Sequence, residues 1–235
     1  FFVNWKRGTP KNKLCDEYLV EDFSFDTNKT ICVDLGSAHG HFILENHKYF
    51  DKIYAFEPCY PNFKKLSKNI IDNNLDDKVA IFNLACSDKT ELINIQFNIF
   101  GSPYGSTTLE GGYNSNYSNN ANHFAYCLNL EDLFTLINQK NIHFLKCDIE
   151  GSEYKFLYNS DLSKIDVLSI EIHRELLGHA RTNKLLKYIL KQGFNLKQYV
   201  QRTNGIHVFM NQNPSCNIDY ILNHRPHWKL GETIK

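Results

Sequence analysis

Lys146, Asp148 and Glu150 occupy alternate positions in HFLKCDIEGSE, an apolar run that ends in charge. On a strand, residues two apart point the same way, and three charges converging at a strand mouth mark a site. SIEIHRE repeats the arrangement with Glu171 and His173. A carboxylate or imidazole within reach of a hydroxyl can take its proton. Asp148 and His173 are therefore the candidate bases, with Glu171 third and Lys146 completing the catalytic set. Glu150 is a candidate contact to the second substrate. A structural ion pair of Lys146 with one acid, and a core histidine at 173, are the plain alternatives. Asp148, Glu150, Glu171 and His173 could also surround Mg²⁺. The reading without a metal is preferred, because Lys146 and hydrogen bonds account for the acids. Asp148 and Glu171 are the ligands should a metal bind.

A second constellation lies earlier, in VDLGSAHGHF. Asp34-Leu-Gly36-Ser37-Ala-His-Gly40 follows a short apolar strand, with Gly36 free to take the positive φ of a tight turn and Gly40 at the helix entry. Such a turn suits a dinucleotide or a nucleoside-type methyl donor. The G-x-G-x-x-G pattern of pyrophosphate binding is absent, since Ala38 stands at its middle glycine. Glu57 ends the next strand, where an acid accepts hydrogen bonds from both ribose hydroxyls. Ser87 and Asp88 end the third strand, where they could edge a purine. Tyr60 and Lys64 have the Tyr-x-x-x-Lys spacing of short-chain dehydrogenases, but on too early a helix for that site.

Short apolar runs alternate with helical patterns through the middle of the chain, which is the signature of βαβ units in a mostly parallel sheet. Expected strands are TICVDLG, KIYAFEP, KVAIFNLAC, IHFLKCDIEG and DVLSIEIH, closed by FNLKQYV and GIHVFMN. Helices are expected near 10–21, 40–49, from Tyr60, from Ser152 and over 181–192. The late β-hairpin points to the seven-stranded methyltransferase variant of the doubly wound sheet, with helices on both faces. The expected division is a lead-in and helix at 1–29, a domain at 30–211 and a polar tail at 212–235. Within the domain, 91–128 is an insertion. Its Gly-, Ser- and Asn-rich stretch 101–122 can form neither core helix nor core strand, and long loops inside domains are often functional. Tyr104, Tyr113 and Tyr117 there are candidate acceptor contacts on a mobile lid.

Hydrophobic residues make up 42% of the 235, and 26 basic side chains balance 26 acidic ones. That balance gives no polyanion footprint, so no nucleic-acid partner is expected. The basic cluster at Lys6, Arg7, Lys11 and Lys13 reads as a solvated segment. Seven scattered cysteines without CxxC spacing indicate reduced thiols in a cytoplasmic protein. No run approaches the roughly 18 apolar residues of a membrane span. His39 with His41, and His224 with His227, read as surface histidines rather than metal ligands. The first residue is Phe1, so the chain is expected to be a domain of a larger polypeptide.

Taken in order, VDLGSAHGHF, YAFEPCYPNFKKLSKNI, NLACSDKTE, LNLEDLF, IHFLKCDIEGSEYKFLYN and LSIEIH resemble the FkbM family of S-adenosylmethionine-dependent methyltransferases, over roughly 30–210. The resemblance implies a Rossmann-like class I methyltransferase fold. It also implies that Asp34, Gly36, Gly40 and Glu57 hold the methyl donor, while Lys146, Asp148 and Glu150 face donor and acceptor. It further implies O-methylation of a hydroxyl on a sugar, a glycan or another small natural product. Two other classes stay open: a non-catalytic methyltransferase-like binding module of a larger protein, and a nicotinamide-dependent oxidoreductase.

Overall fold

Strand β2 (Ile31–Leu35) is buried at every residue, as a strand covered on both faces must be. The structure, a computed structural model, describes residues 16–98, 120–200 and 205–221. β2 pairs in parallel with β3 (Lys52–Phe56) on one side and β8 (Ile142–Cys147) on the other. Beyond β3 lies β4 (Val79–Phe82), and beyond β8 lies β9 (Ile165–Glu171), both parallel. The hairpin of β10 (Phe194–Val200) and β11 (Ile206–Asn211) closes the sheet, with β11 antiparallel to both β9 and β10. The order is β10-β11-β9-β8-β2-β3-β4. The chain therefore moves outward through β3 and β4, then restarts on the other side of β2 with β8. That reversal opens a crevice at the carboxyl ends of β2 and β8.

Alternate residues of each strand feed two cores. Leu145, Leu168 and Phe209 join one cluster with Leu133 of α3 (Leu130–Ile137), Phe156 of α4 (Glu153–Leu157) and Leu185 of α5 (Arg174–Lys191). Their neighbours Phe144, Val167 and Val208 join the other, with Phe42 of α1 (His41–Asn46) and Leu66 of α2 (Tyr60–Asp72). Helices thus cover both faces, as the alternating pattern requires. Helix α2 carries Pro61 in its first turn, where the missing N–H costs nothing. The Asn129 side chain caps α3 by accepting from the Asp132 N–H at 2.9 Å.

Several elements depart from the sequence expectation for identifiable reasons. KVAIFNLAC is not one strand: β4 stops at Phe82, and Ala85–Cys86 (β5) joins a separate sheet with β6 (Glu91–Asn98) and β7 (Asn120–Leu128). At the break, the Asn83 amide donates to the carbonyls of Glu57 and Pro58. The described part of the 10–21 segment forms two 3₁₀ turns, Asp16–Tyr18 and Val20–Asp22, rather than a helix. Leu19 between them sits at φ 60°, a left-handed conformation that stops α-helical propagation. Helix α5 is interrupted at Gly178, whose φ of 76° and ψ of 160° are not helical, so a short helical stretch from Arg174 precedes the segment that corresponds to the expected helix over 181–192. The lead-in and tail also meet: β1 (Phe23–Asp26) pairs antiparallel with β12 (Asn217–Tyr220). Tyr104, Tyr113, Tyr117, the basic cluster, and His224 and His227 lie outside the described residues. Among the described residues no helix is long and apolar enough to cross a membrane, and the six described cysteines are free.

At the amino ends of the strands, Asp166 latches the tail onto the sheet. Its buried carboxylate accepts the Ser215 N–H at 2.7 Å and the Ser215 hydroxyl at 2.6 Å. Hydrogen bonds to a buried charge contribute about 1.5–3 kcal/mol. Asp166→Ala should lower unfolding stability by about that amount in a urea titration. An unchanged midpoint would show that β12 docks through its strand pairing alone.

Candidate active site

The turn after β2 is built by close approach. Gly36 has φ 74°, and a Cβ added there would lie 1.7 Å from the Asp148 carbonyl oxygen, so only glycine lets the two strand ends meet. The Gly36 and Ser37 N–H groups both donate to the Phe56 carbonyl at 3.0 Å, binding the turn to the end of β3. Ser37 Oγ donates to the Asp34 carbonyl at 2.9 Å. Gly40, at φ 86°, starts α1 against Leu66.

Glu57 reaches across from β3. Its carboxylate accepts the Ala38 N–H and the Cys59 N–H, each at 2.8 Å. Burial pushes its pKa up to about 7, against the pull of those two N–H groups, Lys146 and Asn62. Ser87 is buried, with its hydroxyl donating to the exposed Asp88 at 3.1 Å. The structure therefore brings Asp34, Gly36, Ser37, Gly40 and Glu57 to one crevice wall and sets Ser87 and Asp88 at the neighbouring strand end.

Lys146 is 3% exposed and sits between acids. Its Nζ lies 3.2 Å from Asp34 Oδ1 and 3.5 Å from Asp148 Oδ2, and donates to the carbonyls of Leu35 at 3.2 Å and Gly36 at 2.8 Å. Burial raises the Asp34 pKa, with Lys146 opposing. His173 forms a second node. Its Nδ1 lies 2.7 Å from Glu153 Oε1, and its Nε2 lies 3.3 Å from Glu150 and 3.9 Å from Asp148. Burial pulls the imidazole pKa down, but hydrogen bonds to Glu150 and Glu153 overcome it and push it up to about 12. The two carboxylates thus favour a positive charge at His173. Glu150 itself is raised by burial, with His173 opposing.

Strand alternation does not place Glu150. Strand β8 ends at Cys147, and Glu150 enters the cluster from a turn, at φ 49°. Glu171 ends β9 and does not join the group of Asp148, Glu150 and His173, whose potential ligand atoms lie within 4.8 Å of one another. It accepts instead from the Tyr18 hydroxyl at 3.3 Å, while the same hydroxyl reaches Asp148 Oδ2 at 2.9 Å. The Asp148 and Glu171 pairing considered for a metal is therefore bridged by a phenol. Tyr18 and Glu153 are the two cluster members not assigned from sequence. Glu153 stood at the end of the HFLKCDIEGSE run, whereas nothing local marks Tyr18. His39 points away to Asn62 at 3.2 Å.

The profile of the Methyltransferase FkbM domain matches residues 34–196. No curated protein matches the sequence. Among solved structures, methyltransferase FkbM from Methylobacillus flagellatus KT is similar at 16% identity and a TM-score of 0.51, over 77% of this chain and 43% of that one. Human methyltransferase 10 domain containing protein has 13% identity, 86% and 82% coverage, and a TM-score of 0.49. TrmK of M. capricolum, in complex with S-adenosyl-homocysteine, has 14% identity, 80% and 64% coverage, and a TM-score of 0.44. The chain spans less than two thirds of the length of the Methylobacillus and M. capricolum proteins. The profile match over most of the chain, on a seven-stranded Rossmann-like class I sheet, places this chain in the FkbM family of S-adenosylmethionine-dependent methyltransferases.

Proposed function

We propose that this chain transfers a methyl group from S-adenosylmethionine to a hydroxyl of a small-molecule or glycan acceptor, with Asp148 taking the hydroxyl proton. The observation that carries this reading is the position of Asp148. Its backbone carbonyl lies directly under Gly36 of the donor turn, and its side chain, 22% exposed, opens from a buried charged cluster into the crevice. Donor and base are thus adjacent by construction.

The donor wall fits a nucleoside. Glu57 presents a buried carboxylate beside the Gly36 turn, held by the Ala38 and Cys59 N–H groups. Glu57 would accept the ribose hydroxyls, with Asp34, Ser37 and Gly40 shaping the turn. When bound, S-adenosylmethionine supplies a methyl on a positively charged sulfur, whose C–S bond breaks with its electron pair as the acceptor oxygen gains the methyl. The protein's part is alignment and proton removal. Lys146 and Tyr18 fix the Asp148 carboxylate. His173, between Glu150 and Glu153, would chiefly position these acids, since both carboxylates favour its charged form. Tyr104 and Tyr113 remain the proposed acceptor contacts, alongside Glu150. An acid-lined crevice suits an acceptor rich in hydroxyl donors, which supports the sugar-like class.

Two measurements test this reading. Calorimetric titration should give micromolar binding of S-adenosylhomocysteine that tightens as pH rises through about 7, because ribose hydroxyls donate best to ionised Glu57. Glu57→Gln should weaken binding at least tenfold and flatten that pH dependence. The same raised pKa makes the ligand-free chain less stable as pH climbs from 4.5 towards about 7, since the folded carboxyl keeps its proton longer than the unfolded one. Absence of binding in a folded sample would overturn the donor assignment.

With an acceptor found by screening hydroxyl compounds for methylation, Asp148→Asn should cut kcat by about 10²- to 10⁴-fold, while donor affinity moves only a few-fold. Normal turnover in that variant would remove Asp148 as the base.

A further inference from the structure

Asp148, Glu150 and His173 offer two carboxylates and one imidazole whose potential ligand atoms lie within 4.8 Å of one another. Ligands about 2.1 Å from an ion at tetrahedral angles stand about 3.4 Å apart. The Nε2 separations here, 3.3 Å to Glu150 and 3.9 Å to Asp148, are of that size. We propose that Asp148, Glu150 and His173 bind a divalent transition-metal cation at the acceptor end of the crevice.

The second observation is the other side of the imidazole. Metal-bound histidines donate their remaining N–H to a carboxylate or carbonyl, which fixes the tautomer with Nε2 facing the ion. His173 Nδ1 has that partner in Glu153 Oε1, 2.7 Å away. Glu153 is fully buried and is itself held by the Gly151 N–H at 3.0 Å, while its Oε2 has no hydrogen-bond partner. A buried acid with one oxygen committed to an imidazole nitrogen is the support that such a site needs.

The chain contains a built-in comparison. His143, Asp166 and Cys216 also form a compact group of potential ligands. There, however, His143 Nδ1 accepts the Ile31 N–H at 3.0 Å, which places the neutral ring's proton on Nε2. That ring cannot offer Nε2 to an ion, and Asp166 is spent on Ser215. Similar residue types at the two ends of the sheet thus have opposite capacities.

Charge points the same way. Among the described residues, Asp34, Asp148, Glu150, Glu153 and Glu171 gather around the single cations Lys146 and His173. A divalent ion would replace the Nε2 proton and offset the excess. The imidazole favours Fe²⁺, Co²⁺ or Zn²⁺ over Mg²⁺. The role of the ion rests on the proposed methyl transfer: a hydroxyl bound to it would lose its proton more readily to Asp148 or solvent.

Binding can be tested without turnover. Chelator-treated, dialysed protein is titrated with Co²⁺ and followed by visible absorption, with S-adenosylhomocysteine titrated calorimetrically into the same preparation. One Co²⁺ per chain is expected. It should be lost at least 100-fold in His173→Ala and Glu150→Gln, be weakened about 10- to 100-fold in Glu153→Gln, and be unchanged in His143→Ala. Circular dichroism confirms that each variant is folded. No spectrum at millimolar Co²⁺, or binding that survives His173→Ala or disappears in His143→Ala, overturns the site. Nucleoside binding without Co²⁺ binding would sink this inference and leave the methyl-transfer reading standing, and the converse would do the reverse.

Discussion

The buried Lys146 ammonium is the constraint on which the rest of the site depends. A cation at 3% exposure must be paired, because removing either partner leaves an uncompensated charge in a dry environment. Asp34 meets that need from the adjacent strand, and the parallel register sets Asp34 opposite Lys146. The pair therefore fixes how β2 and β8 align at the place where strand order reverses. Two further donor contacts from Nζ hold the carbonyls of Leu35 and Gly36. The Gly36 turn is consequently shaped by a side chain from the strand that also delivers Asp148. The Gly36 turn and the Asp148 carboxylate thus share one ammonium.

The second consequence is a graded interior. Asp34 and Glu153 are fully buried, whereas Asp148 and Glu150 keep about a fifth of their side chains exposed. The inner acids hold the cations Lys146 and His173, and those cations in turn hold the outer acids at the crevice. Each outer carboxylate thereby keeps a fixed position without losing access to a ligand. A purely apolar core could not do this, since an acid placed at its mouth would rotate freely into solvent. The apolar clusters on both faces supply the stability that tolerates this polar centre.

Most of this could be read along the chain. The central strands announced themselves as apolar runs because both faces of the sheet are covered, and the donor turn did so because only glycine fits under the Asp148 carbonyl. What escaped depends on distance. Tyr18 reaches Asp148 and Glu171 from 130 and 153 residues away, out of a 3₁₀ turn whose local sequence has no chemical signature. The β1 and β12 pairing joins the two ends of the described chain, and although FSFD and NIDY both alternate, each run is only four residues long and its partner lies at the far end of the chain. Glu153 stood in plain view, but a helical position one turn after a strand end is on neither of the faces that strand periodicity predicts. Glu171 lies at the same strand mouth, linked to Asp148 through the Tyr18 hydroxyl and acting electrostatically on Glu150.

The two histidine clusters show why residue type alone could not have settled the site. His143 and His173 are both buried, both next to acids, and both at strand ends. What separates them is the group that meets Nδ1: a backbone N–H donates to it in His143, and a carboxylate accepts from it in His173. The donor fixes a neutral ring with its remaining proton pointing outward, and that ring can only brace the sheet. The acceptor leaves Nε2 to be shared among Asp148, Glu150 and a proton or ion. That difference arises because Ile31 starts an inner strand with one N–H to satisfy, whereas Glu153 opens a helix that packs beneath the crevice. Hydrogen-bond polarity thereby distinguishes the cluster at the carboxyl end of the sheet from the one at the amino end, on residues that composition would have ranked as equals.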